Sequence, residues 1–315
     1  MKLTFTSLFL SFICISFGQK IEKFYNYKWQ ECEPNVSRFY SLVNKTDSGF
    51  VRKDYFIREK SLQMIGKYKD VECKIKEGYF WYYHPKGIVE SSGKYINNKK
   101  DGLWIGYYAN GRKKDSAVYS NGHKIGSYLS WHSNGRINDS FVYKDIGDTL
   151  VSWFDNGNLS FTGHVSKRNE QEGSWKYYHK NGQVSSIENY TNGMLTDKFY
   201  FDENGKVIYD TTNRDRIASF PKGKKGWDKY LDKKLYFPDG AKFINGDEAI
   251  VVVSFSINEE GKVEEVIVTT PFHPKFDKIA KEAVENSPNW IPAISHNRNI
   301  KFWIKQSVTF VQIEY

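Results

Sequence analysis

"GLWIGYYANGRKKDSAVYSNG", Gly102 to Gly122, decides how this chain is read. It is polar and aromatic at once, carries Asn-Gly pairs at Asn110-Gly111 and Asn121-Gly122, and has no helical stripe. Asn and Gly accept the positive φ that a tight hairpin turn demands. The stretch therefore predicts an aromatic-rich strand from Trp104 to Tyr108, a turn at Asn110-Gly111, a second strand to Tyr119, and a turn into the next unit. On this reading Gly111→Val strains the hairpin, because a β-branched residue is unfavourable at positive φ.

The unit recurs. Tyr83…Gly87, Tyr107…Gly111, Trp131…Gly135, Trp153…Gly157, Tyr178…Gly182 and Phe201…Gly205 follow one another at spacings of 24, 24, 22, 25 and 23. Asn precedes the glycine in five of these six, and eight residues beyond it comes Tyr95, Tyr119, Tyr143, Val165 or Tyr190. "LQMIGKY" (Leu62 to Tyr68) is a degenerate earlier copy of "VESSGKY" (Val89 to Tyr95). A period near 24 governs the whole region. One hairpin is marginal in water, but hairpins in series bury their aromatics against each other. That accounts for the 17% aromatic content without a binding cage. His84, His132 and His179 share one position of units one, three and five. Alternate units stand roughly 19 Å apart, so these histidines share no metal and read as half-exposed strand residues.

The pattern G-x-W-x-x-Y-x-x-N-G, in Gly102–Gly111 and Gly173–Gly182, resembles the bacterial variant of the MORN-repeat family over about Glu77 to Asp210. The resemblance implies an elongated β-sheet used for protein or membrane contacts, not for catalysis. The fourth unit departs from the pattern, reading "DTLVS" before Trp153, which suggests a bend or bulge.

The N-terminus, MKLTFTSLFLSFICISFG, has a basic Lys2, an apolar Leu3–Phe17 and a small Gly18 before Gln19. That is the plan of a secretory signal peptide cleaved after Gly18. The apolar run is short of the ~20 residues of a spanning helix, so no integral span is expected after cleavage. Bulky Ile13 before Cys14 disfavours lipid attachment. Export leaves Cys32 and Cys73, for which an oxidising compartment permits a disulfide. The net charge is +9, yet from Asp228 onward 11 Lys/Arg face 13 Asp/Glu, so the excess lies upstream. Export argues against nucleic acid. The basic excess then suits acidic envelope polymers or an anionic membrane surface, or simply keeps exposed repeat turns soluble.

After Thr211–Lys225, "TTNRDRIASFPKGKK", which reads as a linker, the character changes. Gly223→Val in this stretch is expected to be tolerated. "AIVVVSFSI" (Ala249–Ile257) predicts a strand with Val251, Val253, Phe255 and Ile257 on one face, and "KVEEVIVTT" (Lys262–Thr270) its returning partner. Phe276, Ile279, Ala280, Ala283 and Val284 fall at helical spacing before Pro288, and Ile300–Ile313 reads as a long final strand. The order ββαβ implies a small antiparallel sheet covered by a helix.

Five stretches in order carry a second resemblance, from about Trp227 to Val311: "LYFP" (Leu235–Pro238), "VSFSINEEGKV" (Val253–Val263), "FDKIAKEA" (Phe276–Ala283), "PNWIPA" (Pro288–Ala293) and "SVTF" (Ser307–Phe310). The segment resembles the C-terminal domain of TonB-type energy transducers. Ala249 stands where that family carries glycine, Phe276 where it carries leucine, and Ser307 where it carries proline. The resemblance implies capture of an extended peptide from an outer-membrane transporter by strand addition. Its peptide-binding positions fall on Tyr236, Pro238, Lys305, Ser307 and Thr309. The eight prolines form no run, so a stiff span across an envelope is missing from this sequence.

The expected architecture is mainly β with a small α+β domain. It comprises a signal peptide (1–18), an N-terminal segment with a degenerate repeat (19–75), a MORN-like sheet (76–210), a linker (211–226) and a TonB-like domain (227–315). Neither a nucleophile elbow, a zinc-protease helix nor a P-loop occurs, so an enzyme is not expected and no cofactor or metal is assigned. The expected role is an exported adaptor in the periplasm or at the outer membrane. The alternative is peptidoglycan or anionic-glycan binding by the basic, aromatic sheet.

Overall fold

The computed structural model describes residues 21–143, 148–241 and 249–311. The expected signal peptide lies outside them. Among the described residues, sixteen strands from Ile21–Tyr25 to Val207–Ile208 form one antiparallel sheet in strict chain order. The meander thus begins well before the first regular unit. Strands Phe39–Thr46, Gly49–Phe56 and Ser61–Tyr68 belong to it, and Met64 and Tyr68 share a buried cluster with Phe80 and Trp104. The segment read as separate lacks the Asn-Gly turns that mark the later units, not their structure.

The two Asn-Gly pairs do different work. Asn121 and Gly122 both have positive φ, 51° and 87°, as a two-residue hairpin turn requires. At the other pair only Gly111 does (81°). There Gly111 N–H donates to Tyr108 O (2.8 Å) and Tyr108 N–H to Arg112 O (2.9 Å), a turn closed by a glycine bulge. Asn110 instead accepts from Arg112 N–H (3.0 Å) and donates Nδ2–H to Ser133 O of the next unit (3.2 Å). Asn134 and Asn181 repeat that reach to Asp155 O and Glu203 O, at 2.9 and 2.8 Å. The histidines, read as half-exposed strand residues, stand just past the strand ends at Tyr83, Trp131 and Tyr178 and brace the units in the same direction. Their Nε2 atoms meet Tyr107 O (3.4 Å), Trp153 O (2.8 Å) and Phe201 O (2.9 Å), and His179 is buried. Among the described residues no cluster of metal-ligating side chains occurs.

Packing on the covered face explains another repeated glycine. Gly66, Gly93 and Gly163 seat the rings of Phe80, Trp104 and Trp175, and a β-carbon at any of them would collide with the ring. The rings then meet edge to face, Tyr68–Phe80 at 5.2 Å and Tyr95–Trp104 at 4.9 Å. Lysines roof them: Lys76 lies 4.8 Å over Tyr95, Lys100 4.2 Å over Trp104, and Lys124 4.0 Å over Tyr128. Part of the basic excess is therefore spent on the scaffold as cation–π contacts, not on exposed turns.

The C-terminal domain is a three-stranded sheet. Its central strand Ala249–Ile257 lies between the returning strand Val263–Thr270 and the closing strand Phe302–Phe310. Val251, Val253, Phe255 and Ile257 are fully buried against helix Pro274–Glu285, whose Phe276, Ile279, Ala280, Ala283 and Val284 face them. Two expectations need correction. The stretch read as a linker joins this core: Ala218 and Phe220 are buried in it, and Arg216 and Ser219 bridge to Ile294 and Ile291. It runs into helix Gly223–Lys234, which buries Trp227 and Leu231, and Gly223 has φ 64°, so valine is strained there too. The long final strand is interrupted: Arg298–Ile300 pairs with Ala293–Ser295 as a separate hairpin before the closing strand begins, and Gln312 and Ile313 lie outside the described residues.

Cys32 and Cys73 are free thiols. Cys32 follows the first strand, whereas Cys73 sits between Ser61–Tyr68 and Lys76–Tyr83, at the opposite ends of the strands. A strand length separates them, well beyond the reach of a disulfide. Burial pushes the Cys73 thiol up to about 11. Among the described residues no helix is long and apolar enough to cross a membrane.

Candidate peptide-binding edge

The closing strand pairs with the central strand through nine consecutive residues, Ile257↔Phe302 to Ala249↔Phe310, without a register shift. On its far side no further strand is paired among the described residues. The opposite edge of the same sheet is different. The returning strand shifts register twice against the central strand, and Glu265 sits in the left-handed region at φ 54°. Bulges of this kind blunt an edge against pairing. One edge is straight, the other is spoiled.

The side chains marked by sequence divide along this edge. Lys305, Ser307 and Thr309 alternate outward from the closing strand, whereas Val308 and Phe310 point into the core. Thr309 and the exposed Tyr236 meet in an open cleft of about 330 Å³ walled by Leu235, Phe237, Phe310 and Val311. Pro238 is not on that surface. It is buried, its carbonyl accepts Ala241 N–H (3.1 Å), and it fixes the path of the segment that carries Tyr236. Lys305 lies further along, in a cavity of about 280 Å³ facing Tyr83 and His84 of the repeat sheet. Tyr236 and Thr309 are thus brought together, and Lys305 is not brought to them. The apolar walls Leu235, Phe237 and Phe310 lie inside the stretches "LYFP" and "SVTF" that carry the resemblance, though none of them was singled out as a binding position.

A second constellation holds the domain onto the sheet, and sequence reading missed it. Glu188 is buried and accepts hydrogen bonds from Ser186 Oγ and Tyr190 Oη of its own strand. His296 Nδ1, from the turn of the small hairpin, lies 3.0 Å from both its oxygens. The His296 ring stacks on Tyr177 at 3.7 Å and 6°. Burial alone would raise the Glu188 carboxyl, but the bonds from His296, Tyr190 and Ser186 bring it down to about 2. Around this pair Asn297 Nδ2 donates to Ser185 O (3.1 Å) and Phe201 O (3.0 Å), Arg298 Nη2 to Ser160 Oγ (3.1 Å), and Lys180 pairs with Glu259 (2.8 Å). Far along the sheet, Arg38 lies 3.9 Å over Phe272. A signal was available: Glu188 takes the slot that is Gly66, Gly93, Ala117 and Gly163 in four other units and Phe141 in the third. A carboxylate where most units carry a small ring seat marks the place where His296 docks.

The fold is a small α+β domain carried on a long antiparallel β-meander. Residues 233–311 match the family described as Gram-negative bacterial TonB protein C-terminal. That family is an interaction domain of energy transducers without catalytic activity, and its members contact outer-membrane proteins. The match suggests a TonB-like envelope protein-interaction role for residues 233–311. No curated protein matches the chain.

Proposed function

We propose that this protein is an exported, non-enzymatic adaptor of the envelope, acting in the periplasm or at the outer membrane. Its C-terminal domain captures an extended peptide, such as a segment of an outer-membrane transporter, and its MORN-like repeats form the scaffold. The observation that carries this reading is the contrast between the two sheet edges. The closing strand offers an unbulged edge beside the Tyr236–Thr309 cleft, and strand addition takes its affinity from backbone groups and its choice from such pockets.

Proline tests it, because it removes a backbone donor that a ladder needs. Ser307 and Thr309 stand two residues apart, so their N–H groups point the same way. The resemblance places proline at Ser307, so Thr309→Pro is compatible with the sheet itself. Peptides from the periplasm-facing segments of outer-membrane transporters serve as probes. Thr309→Pro is expected to abolish capture and Thr309→Ala to weaken it slightly, whereas Ser307→Pro, at the position where the resemblance places proline and capture therefore needs no donor, is expected to leave it intact. Full capture by a folded Thr309→Pro variant would remove strand addition here.

One observation favours a second reading, binding of an anionic glycan. Tyr79 and Trp81 are exposed and stacked at 5.8 Å, with Lys94 opposite Tyr79 on the neighbouring strand. Trp81→Ala should then reduce retention on peptidoglycan without affecting peptide capture.

A further inference from the structure

A cavity of about 540 Å³ lies between the C-terminal domain and the repeat turns, away from the closing strand. Its size falls in the range of small-molecule sites. Val266, Ile267 and Val268, three successive residues of the returning strand, form its floor. Side chains alternate along a strand, so three in a row means that the strand presents its edge. That is the bulged edge with Glu265 in the left-handed region, which is unsuited to a peptide strand. Pro271 and Pro274 continue the apolar wall from the domain, and Pro85 and Ala109 close it from two repeat turns.

The mouth is charged unevenly. Lys86, Lys278 and Lys281 stand there with two carboxylates, Glu59 and Asp277. Asp277 is already engaged, accepting Phe272 N–H (2.7 Å) and His273 N–H (3.3 Å) at the start of its helix. Glu59 lies in the field of Arg38 and Arg58. The helix lysines pair with exposed carboxylates one turn on, Glu282 at 3.8 Å and Glu285 at 3.1 Å, and water screens such pairs. An apolar slot with ammonium groups held only by solvent-screened pairing at its mouth matches a ligand with one long apolar chain and one anionic head.

We propose that this cavity binds a single-chain anionic amphiphile, a fatty-acid carboxylate. The chain lies between the bulged strand edge and the Pro85 and Ala109 turns, and the head group sits among Lys86, Lys278 and Lys281. The site is separate from the peptide edge and does not depend on it.

The test titrates the full chain with a dansyl-labelled undecanoic acid and with palmitate, below their micellar concentrations. Saturable one-to-one binding is expected, with palmitate displacing the probe. Ala109→Trp fills the slot from a turn and is expected to weaken binding at least tenfold. Lys278→Glu with Lys281→Glu leaves the slot open and is expected to weaken it similarly, as is replacing palmitate by hexadecanol. Thr309→Pro should bind the probe like wild type. Absence of saturable binding, unchanged affinity in the double lysine variant, or hexadecanol binding as tightly as palmitate would each overturn the proposal.

Discussion

The repeat sheet and the C-terminal domain solve one problem, burying apolar surface, in opposite ways. In the sheet every strand pairs with its neighbours in sequence, and the buried residues fall into small clusters such as Met64–Tyr68–Phe80–Trp104 and Val165–Trp175–Tyr177–Tyr190. In the domain a single cluster runs from Ala218 to Phe310 and joins both helices to the sheet. The sheet is therefore a sum of local terms, as nearest-neighbour arrays are. The domain is one cooperative unit.

The largest expected effect tests that difference directly. Phe255 and Phe80 are both fully buried, and truncating either to alanine should cost about 3–5 kcal/mol. Phe255→Ala is expected to remove amide-exchange protection across 249–310 together, whereas Phe80→Ala should expose only the strands between 61 and 107. Equal, global loss in both would break the comparison.

A smaller effect concerns the ring seats. Gly93→Ala places a methyl against Trp104, and overpacking of this kind costs about 1–3 kcal/mol. Its melting temperature should fall, with a change in tryptophan emission, while the C-terminal core keeps its exchange protection.

Next comes the contact that joins the two regions. Glu188→Ala restores the small residue of the repeat, so the sheet should persist, but it strands the partners of a buried carboxylate at about 1–3 kcal/mol. Limited proteolysis around 209–215 should accelerate. Because the Glu188 carboxyl is held at about 2 in the fold, against 4.5 for its ordinary value, its contribution is complete above about pH 4.5. It fades as pH falls toward 2. Glu188→Gln should remove that acid dependence.

The smallest effect has the opposite sign. Burial, with Glu59 nearby, pushes the Asp277 carboxyl up to about 6, although the N–H groups of Phe272 and His273 and the charge of Arg38 oppose it. The unfolded chain loses this proton near pH 4 and the fold near 6, so stability declines as pH rises through that window. Asp277→Asn, still an acceptor for the helix start, should flatten the profile of thermal unfolding between pH 4 and 6.

Legibility in sequence follows the same divide. The meander was readable because a recurring period near 24 imposes a similar environment at each position, which Gly111 and Gly93 meet in every copy that keeps them. Its first strands were not, since turns at Asp47-Ser48 and Arg58-Glu59 carry no Asn-Gly mark. In the domain, alternation exposed the buried face of Ala249–Ile257, and helical spacing identified all five buried residues of Pro274–Glu285. The stretch Thr211–Lys225 misled because its two buried residues, Ala218 and Phe220, show no period among so many charges. Of the residues the resemblance marked, Tyr236 and Thr309 line one cleft, Lys305 lies apart from them, and Pro238 turns inward. Nothing local separates a proline that supports a loop from one that touches a ligand. The docking residues Glu188 and His296 lie 108 positions apart, and only the broken repeat slot hinted at them.

Two of the grips on the domain, Arg38 over Phe272 and Glu188 with His296, lie near the second and the fourteenth strands. Twelve strand spacings measure about 58 Å along a sheet, whereas a domain of about 90 residues has a radius of gyration of only about 12 Å. To touch both places, the sheet must curl around its cargo like a caliper. Repeat copy number then becomes a gauge. Removing one whole hairpin unit from the middle would leave every remaining strand paired, yet the jaws would close on a different width and only one grip would meet its mark. A protein that lengthens freely in principle is thereby fixed in size by what it holds.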